Sequence, residues 1–316
     1  MSYPYAPMSP ETVWFGVTPT LWWNDDFLSI DIGIPFEQCV SEMALAGFVG
    51  CSVGHKYPTD PAQLRSALEL RGLRVSEPWV STYFTIHSMH AQTVEKVRQQ
   101  LAFMAAMEKG SDDPRRADLV VAEFGDAVNP LPVALFANAP KFTDAQWTHL
   151  IDGLHEIGRM AIAQGRKLCY HPHLGTGVMD EASVRRLFDK TDPGLVHFLL
   201  DTAHLAVAGV DPFAIAKDYA PRIKHIHLKD MREPVRQAMH EKGLSFQQAV
   251  ESGIFTVPGD RAEGALTPRF PELFKTLQDA GFAGWLVVEA EQDPAKANPL
   301  EYAKIARNFL RQNLGW

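Results

Sequence analysis

Two kinds of segment alternate along the chain. Short apolar runs rich in β-branched residues are separated by longer stretches that are apolar at helical spacing. The first run is Val13–Pro19. The stretch IPFEQCVSEMALAGF after it brings Phe36, Val40, Met43, Ala44 and Gly47 near one helical face. The run Phe48–Gly54 follows, then a helix opening at Thr59-Asp60-Pro61, where a capping residue precedes a first-turn proline. LRVSEPWVS supplies a third run, and Val94, Val97, Leu101, Met104 and Ala105 stripe a long helix near 93–108. Ala117–Gly125 is the fourth. A helix from about Asp144 then turns Trp147, Leu150, Ile151, Leu154, Ile157 and Ala161 inward. Runs at Lys167–His173, Val196–His204, Arg222–Asp230 and Gly284–Gln292 alternate with DEASVRRLFDK, DPFAIAKDYA, Phe270–Gly281 and LEYAKIARNFLRQN, all helical in pattern.

Strands parted by helices imply right-handed crossovers and a parallel sheet. Eight such units predict the α/β class and a closed (β/α)₈ TIM barrel, read here as a single domain over residues 1–316. An open doubly wound sheet would carry a GxGxxG turn after its first strand, where this chain reads TPTLWWND. The rhythm breaks once, at Met231–Glu263, an excursion after the seventh strand with one short helix around Ser245–Glu251. On a barrel it would lie over the mouth as a lid.

Composition narrows the functional classes. Charged residues at 22% and hydrophobic ones at 46% fit a globular protein and not a disordered one. A net charge of −8 argues against nucleic acid as partner. No apolar stretch approaches the roughly 20 residues a bilayer needs, and MSYPYAPMSPETVW lacks the features of a signal peptide. Cys39, Cys51 and Cys169 are odd in number and widely spaced, which suits a reduced, cytoplasmic setting.

The candidate chemistry lies where the apolar runs end. VVAE closes on Glu123, KLCYHPH on His171 and His173, and HFLLDTAH on Asp201 with His204 beyond it. HIHLKD carries His225, His227, Lys229 and Asp230, and WLVVEAEQD carries Glu289 and Glu291. In a barrel these C-terminal strand ends face one mouth. Carboxylates gathered in so small a volume need a cation, and mixed His and Asp/Glu donors suit Mn²⁺, Co²⁺, Fe²⁺ or Zn²⁺ better than Ca²⁺. Taken singly, Asp201 reads equally as a helix cap and EAEQD equally as an exposed acidic exit. Alternation puts His225 and His227 on one face, either both toward the mouth or His225 deeper down. Trp22, Trp23 and Trp79 read either as mouth packing or as a platform for a ring substrate. Lys56 reads either as a solvated loop lysine or as a group that meets a hydroxyl. Cys51 and Cys169 read as small buried hydrophobes, and no base stands ready to activate Cys169.

Several segments are familiar: GHKYPTDP, YHPHLGTGV, LLDTAHLAVAGVDP, RIKHIHLKDMR, FTVPGD and GWLVVEAEQDPAKANPLEYA. On them the chain resembles the xylose-isomerase-like sugar isomerase/epimerase barrels. Within these it is similar to the inosose (2-keto-myo-inositol) dehydratases of inositol catabolism. YHPHLGT and VVEAEQDPAKANP carry the narrower match. The resemblance implies a divalent metal, Mn²⁺ or Co²⁺, on His171, Asp201, His227 and Glu289, with Glu123 the alternative fourth ligand. It implies a lyase that eliminates water from a cyclic polyol ketone through a metal-stabilised enediolate, or else a metal-dependent epimerase or isomerase of an inosose or ketose. Catalytic roles would fall to Glu289, Glu291, His204, His173 and Lys56, and substrate contacts to Trp22, Trp79, Glu123, His225 and Lys229. A glutathione dependence and a homo-oligomer are implied by the same kinship. Two departures stand out. The dehydratases carry a glutamate in the second strand's E-x-G where this chain has Ser52, and Glu77-Pro78 interrupts their third-strand pattern. Both sites are expected to face the substrate.

Overall fold

The structure, a computed structural model, describes residues 8–25 and 27–316. Most of the proline-rich N-terminal arm, a segment that on its sequence could serve an interface, lies outside them. The strands are β1 (Val13–Val17), β2 (Gly50–Ser52), β3 (Arg74–Glu77), β4 (Trp79–Thr82), β5 (Leu119–Glu123), β6 (Leu168–Tyr170), β7 (His197–Asp201), β8 (Ile223–Leu228), β9 (Asp230–Met231), β10 (Phe255–Thr256) and β11 (Gly284–Val288). The helices are α1 (Phe36–Ala46), α2 (Pro61–Glu69), α3 (His90–Met107), α4 (Leu135–Asn138), α5 (Asp144–Ala163), α6 (Glu181–Lys190), α7 (Thr202–Val207), α8 (Pro212–Tyr219), α9 (Glu233–Lys242), α10 (Phe246–Glu251), α11 (Phe270–Asp279) and α12 (Pro299–Leu314).

Nine parallel strands run in the order β3-β2-β1-β11-β8-β7-β6-β5-β4. The third expected strand is two strands because Pro78 parts it into β3, which pairs with β2, and β4, which pairs with β5. The two ends of the sheet are therefore consecutive in the chain. Two bonds across the break bring them round: the Asp118 N–H donates to Ser76 O at 3.0 Å and the Val120 N–H to Pro78 O at 3.3 Å. The result is the expected (β/α)₈ TIM barrel.

The helix signals act as the sequence indicates. Asp60 and Asp211 cap α2 and α8 ahead of a first-turn proline, each accepting two backbone N–H bonds. Thr143 opens α5 with a reciprocal capping box. The stripes of α3 and α5 (Val97, Leu101 and Met104; Leu150, Leu154 and Ile157) are buried in the layer between helices and strands. Inside the barrel Val120, Cys169 and Leu199 form a smaller apolar cluster of their own. Burial pushes the Cys169 thiol well up from its ordinary value, which fits the reading of an inert hydrophobe.

The excursion after β8 holds more structure than the one short helix expected. It contains α9 as well as α10, and β9 pairs antiparallel with β10. The start of α9 is marked by Glu233-Pro234, a first-turn proline with no preceding side-chain cap. No helix among the described residues is long and apolar enough to cross a membrane.

Candidate active site

Strand register brings the ionisable ends together. Asp201 on β7 lies opposite His227 on β8, and His227 lies opposite Val287 on β11. Alternation then turns Glu289, two residues past Val287, to the same inner face. His171 follows β6, its N–H donating to Val121 O at 2.8 Å and so prolonging the ladder. His171, Asp201, His227 and Glu289 are all buried, and one ligand atom from each lies within 4.8 Å of the others.

Hydrogen bonds at the back of each residue fix which atom faces the centre. Asp201 Oδ1 accepts the N–H groups of Ala203 and His204 at 2.9 and 2.8 Å, capping α7. The helix-cap reading of Asp201 holds, and its Oδ2 is left facing inward toward the other candidate ligands. His171 Nδ1 lies 2.8 Å from Pro172 O, which can only accept, so Nδ1 carries a proton and Nε2 is the nitrogen that faces the centre. That Nε2 is 3.5 Å from Asp201 Oδ2. His227 Nδ1 is 2.5 Å from Glu289 Oε2 and 3.8 Å from Asp201 Oδ2.

These residues fit a divalent cation. Asp201 Oδ2, Glu289 Oε2 and both His227 nitrogens are buried with no aligned hydrogen-bond partner, an arrangement costly in a protein interior unless a further group satisfies it. Two imidazoles with two carboxylates form a donor set suited to transition metals. Burial opposes charge on His227, but Glu289 and Glu77 outweigh it and hold the ring protonated, up to about 10. A cation at Nδ1 would take the place of that proton.

A second cluster adjoins the first. His173, His204 and Glu291 are buried and again converge within 4.8 Å. His204 Nδ1 accepts the Leu174 N–H at 3.3 Å, so its proton sits on Nε2, 3.5 Å from Glu291 Oε1. His173 Nδ1 donates to Leu174 O at 2.9 Å, leaving Nε2 as a lone pair. The two imidazole centroids are 4.0 Å apart. Burial keeps both rings neutral; charge on His173 is opposed further by the adjoining His204 and His171 imidazoles, and charge on His204 by the Lys229 ammonium. One ring therefore offers an N–H and its neighbour a lone pair.

A cavity of about 160 Å³ opens onto both clusters, lined by Ser52, Glu77, Trp79, His173, His227, Glu289 and Glu291 among others. Trp79 is partly exposed there, edge-on to His171 and His173. The excursion supplies Phe246, 5.6 Å from the His173 ring, and Phe255, 5.3 Å from that of His204.

Several candidates stand elsewhere than the sequence suggested. Trp22 is fully buried and donates from Nε1 to Glu42 Oε2 on α1 at 2.6 Å, so it meets the helix layer and not the cavity. Lys56 gives its ammonium to Asp31 at 2.7 Å and to Ile34 O at 3.0 Å, above the Trp23 ring. Glu123 has no free oxygen for an ion or substrate. It accepts from Thr82 Oγ1, Phe84 N, Thr85 N, Thr85 Oγ1 and Gly125 N at 2.7–3.2 Å. His225 lies deeper than His227, its Nδ1 3.0 Å from Asp118 Oδ2. Lys229 is wholly buried, with Nζ 2.8 Å from Glu291, 3.2 Å from Asp201, 3.2 Å from Glu289 and 4.8 Å from the Phe255 centroid. Burial opposes its charge, but those three carboxylates hold it protonated. It neutralises the cluster from behind and does not reach the cavity.

Glu77 was not among the expected site residues beyond its mention as a departure. It is buried at the cavity wall, with Oε1 3.4 Å from His227 Nε2 and Oε2 3.4 Å from His225 Nε2. Burial works against its charge, but His225 and His227 hold its carboxyl down to about 2. Ser52 faces the same cavity, so both departures are where the substrate was expected.

Residues 40–313 match the model of the xylose isomerase-like TIM barrel family. Inosose dehydratase 1 of Bacillus cereus is 45% identical over 305 residues, covering 96% of this chain and 98% of the relative. Among solved structures, the IOLI protein with a bound zinc atom superposes with a TM-score of 0.67 at 12% identity, over 96% of this chain and 98% of that one. The probable 3-DHS dehydratase AsbF of Bacillus anthracis gives 0.66 at 14% identity, over 94% and 98%. The likeness to those two structures speaks for the fold alone. The chain belongs to the xylose isomerase-like TIM barrel family, as an enzyme similar along nearly its whole length to the inosose dehydratases.

Proposed function

We propose that this enzyme eliminates water from a cyclic polyol ketone, 2-keto-myo-inositol (inosose), with a divalent ion held by His171, Asp201, His227 and Glu289. The observation that carries the proposal is the side-by-side placement of that four-residue cluster and an imidazole pair with opposite proton occupancy. A bound ion would act as a Lewis acid on the substrate's carbonyl oxygen and so ease loss of the neighbouring proton. Mn²⁺ or Co²⁺ is taken as that ion on kinship.

His173 takes the α-proton at its Nε2 lone pair. His204 gives its Nε2 proton to the departing β-hydroxyl, which leaves as water when the C–O bond breaks. The proton then returns from His173 to His204, whose ring centroids are 4.0 Å apart, so the site ends as it began. Each positioned transfer is worth about 10²–10⁴ in rate. Glu291 orients His204, and Lys229 helps keep Asp201 and Glu289 ionised. The two rings stand together, with His173 at the cavity wall and His204 beside it, which supports one-sided elimination over two-sided epimerisation. Trp79 offers an aromatic wall for the apolar face of the ring. The excursion covers the site through Phe246 and Phe255 and acts as its lid.

Glutathione dependence, a homo-oligomer and a cytoplasmic setting enter the proposal through kinship, with no residue assigned to them. The three buried free cysteines accord with that setting. The proposal is tested by incubating the purified enzyme with 2-keto-myo-inositol, with Mn²⁺, with Co²⁺ or with chelator. It requires a metal-dependent rise in the ultraviolet absorbance of a conjugated diketone. An epimer seen by NMR with no absorbance gain would replace this reading by epimerisation.

A further inference from the structure

We infer that Glu77, backed by His225 and Asp118, is the positioning group for His227, turning that ring so that Nδ1 faces the ion ligands and Nε2 faces the Glu77 carboxylate. The inference rests on the four-residue ion site proposed above and adds residues that lie outside it.

The geometry is a column through the barrel interior. His227 presents Nδ1 to Glu289 at 2.5 Å and Nε2 to Glu77 Oε1 at 3.4 Å. The second Glu77 oxygen is 3.4 Å from His225 Nε2, and His225 Nδ1 is 3.0 Å from Asp118 Oδ2. Every member is buried. Alternation along β8 stacks the two imidazoles, with Ile226 and Leu228 turned out to the main core.

Glu77 reaches this column through an irregularity in β3. Cys51 pairs with Val75, but Ser52 pairs with Glu77, so Ser76 is an extra residue opposite a single step of β2. A bulge of this kind re-aims the side chain that follows it. Here the side chain re-aimed is the carboxylate beside His227.

The column is not what folding requires. Barrel interiors are filled chiefly by branched apolar side chains, and Val120, Cys169 and Leu199 fill the neighbouring space that way here. Burying two carboxylates and an imidazole is unfavourable against an apolar filling of similar volume. What the column does supply is orientation. An imidazole gripped at one nitrogen presents the other in a fixed direction and is a more basic ligand.

The test uses Co²⁺ alone, titrated into the purified full-length protein against a competing chelator. Glu77→Gln keeps the side chain's shape and removes its charge. Its Co²⁺ dissociation constant is expected to rise about 10–100-fold, with a changed visible absorption of the bound Co²⁺. His225→Gln, one step further away, should raise it less, and Glu77→Asp should recover part of the loss. In the Zn²⁺-loaded wild type, nitrogen-detected imidazole NMR should find the His227 proton on Nε2. A purely structural Glu77 would lower the melting temperature of Glu77→Gln and leave Co²⁺ affinity and spectrum unchanged, which overturns the inference. Ligation of the ion through Nε2 of His227 overturns it too. So do two Co²⁺ per wild-type chain against one in Glu77→Gln, which would make Glu77 a ligand. Wild type that takes up no Co²⁺ removes the ion-site reading and this inference together, whereas a binding wild type with an unaffected variant removes the inference alone.

Discussion

His204 presents Nε2 to Glu291 Oε1 at 3.5 Å, and the Leu174 amide at its Nδ1 decides which nitrogen carries the proton. A backbone group thereby sets the direction in which this side chain can act. His204→Gln keeps an amide donor of similar reach but cannot exchange its proton near neutral pH. Turnover of 2-keto-myo-inositol should fall about 10²–10⁴-fold, with Co²⁺ content measured by elemental analysis unchanged. Loss of the metal along with turnover would place His204 in the ion site instead.

Asp201 serves two partners with its two oxygens, so they can be separated. Asp201→Asn keeps a side-chain oxygen to cap α7 and loses the anionic Oδ2 that faces the ion ligands. Metal affinity should drop more than tenfold while the melting temperature of the metal-free protein changes little. Asp201→Ala should lose the cap as well, a further cost of about 1 kcal/mol. Thermal denaturation with and without Co²⁺ reads both effects.

His227 is held protonated in the metal-free site, up to about 10, and ion binding must displace that proton. Below that value uptake should therefore release about one proton per ion, and apparent affinity should rise about tenfold per pH unit. Calorimetric titration in buffers of different ionisation enthalpy measures the release directly. A heat independent of buffer would show that the ring does not exchange its proton for the metal.

Glu123 is a clasp between strand ends and not a ligand. Glu123→Ala leaves the N–H groups of Phe84, Thr85 and Gly125 without their acceptor. Each buried orphan costs about 1–3 kcal/mol, so the protein should lose several kcal/mol in a denaturant titration. The fraction that remains folded should bind Co²⁺ as the wild type does. Weakened binding in that fraction would return Glu123 to the ion site.

His197 links stability to pH. Burial, aided by Lys224 and Lys167, lowers it from 6.5 to about 4. The native ring is neutral where the unfolded ring takes a proton, so between those values the unfolded chain binds more protons. The stabilisation is present above pH 6.5 and disappears as the pH falls toward 4. His197→Gln should flatten the slope of melting temperature against pH in that window, and an unchanged slope would assign acid sensitivity to other groups.

Much of this was legible in the chain because periodicity reports faces. The runs ending in Asp201, His227 and Glu289 fixed three strand ends, and barrel closure does the rest. What periodicity does not report is direction off a loop. Trp22 lies just past β1 and Trp79 stands where Pro78 breaks the third run, yet Trp22 turns to Glu42 and Trp79 to the cavity. Nor does it report pairing. Lys56 is met by Asp31, 25 positions earlier, a partner that neither reading of the loop contains. Glu77 escaped because its position depends on an extra residue, and an alternation count across Ser76 puts everything beyond it on the wrong side.

That same surplus residue changes how the chain's two departures from its relatives should be counted. Position by position, the resemblance leads one to expect a glutamate where Ser52 stands and none at 77, which reads as two unrelated differences. Around the wall of the barrel the two positions are neighbours, paired across adjacent staves. A carboxylate on either of two adjacent staves gives the chamber the same negative corner, so what reads as two differences along the chain amounts to a single one around the wall.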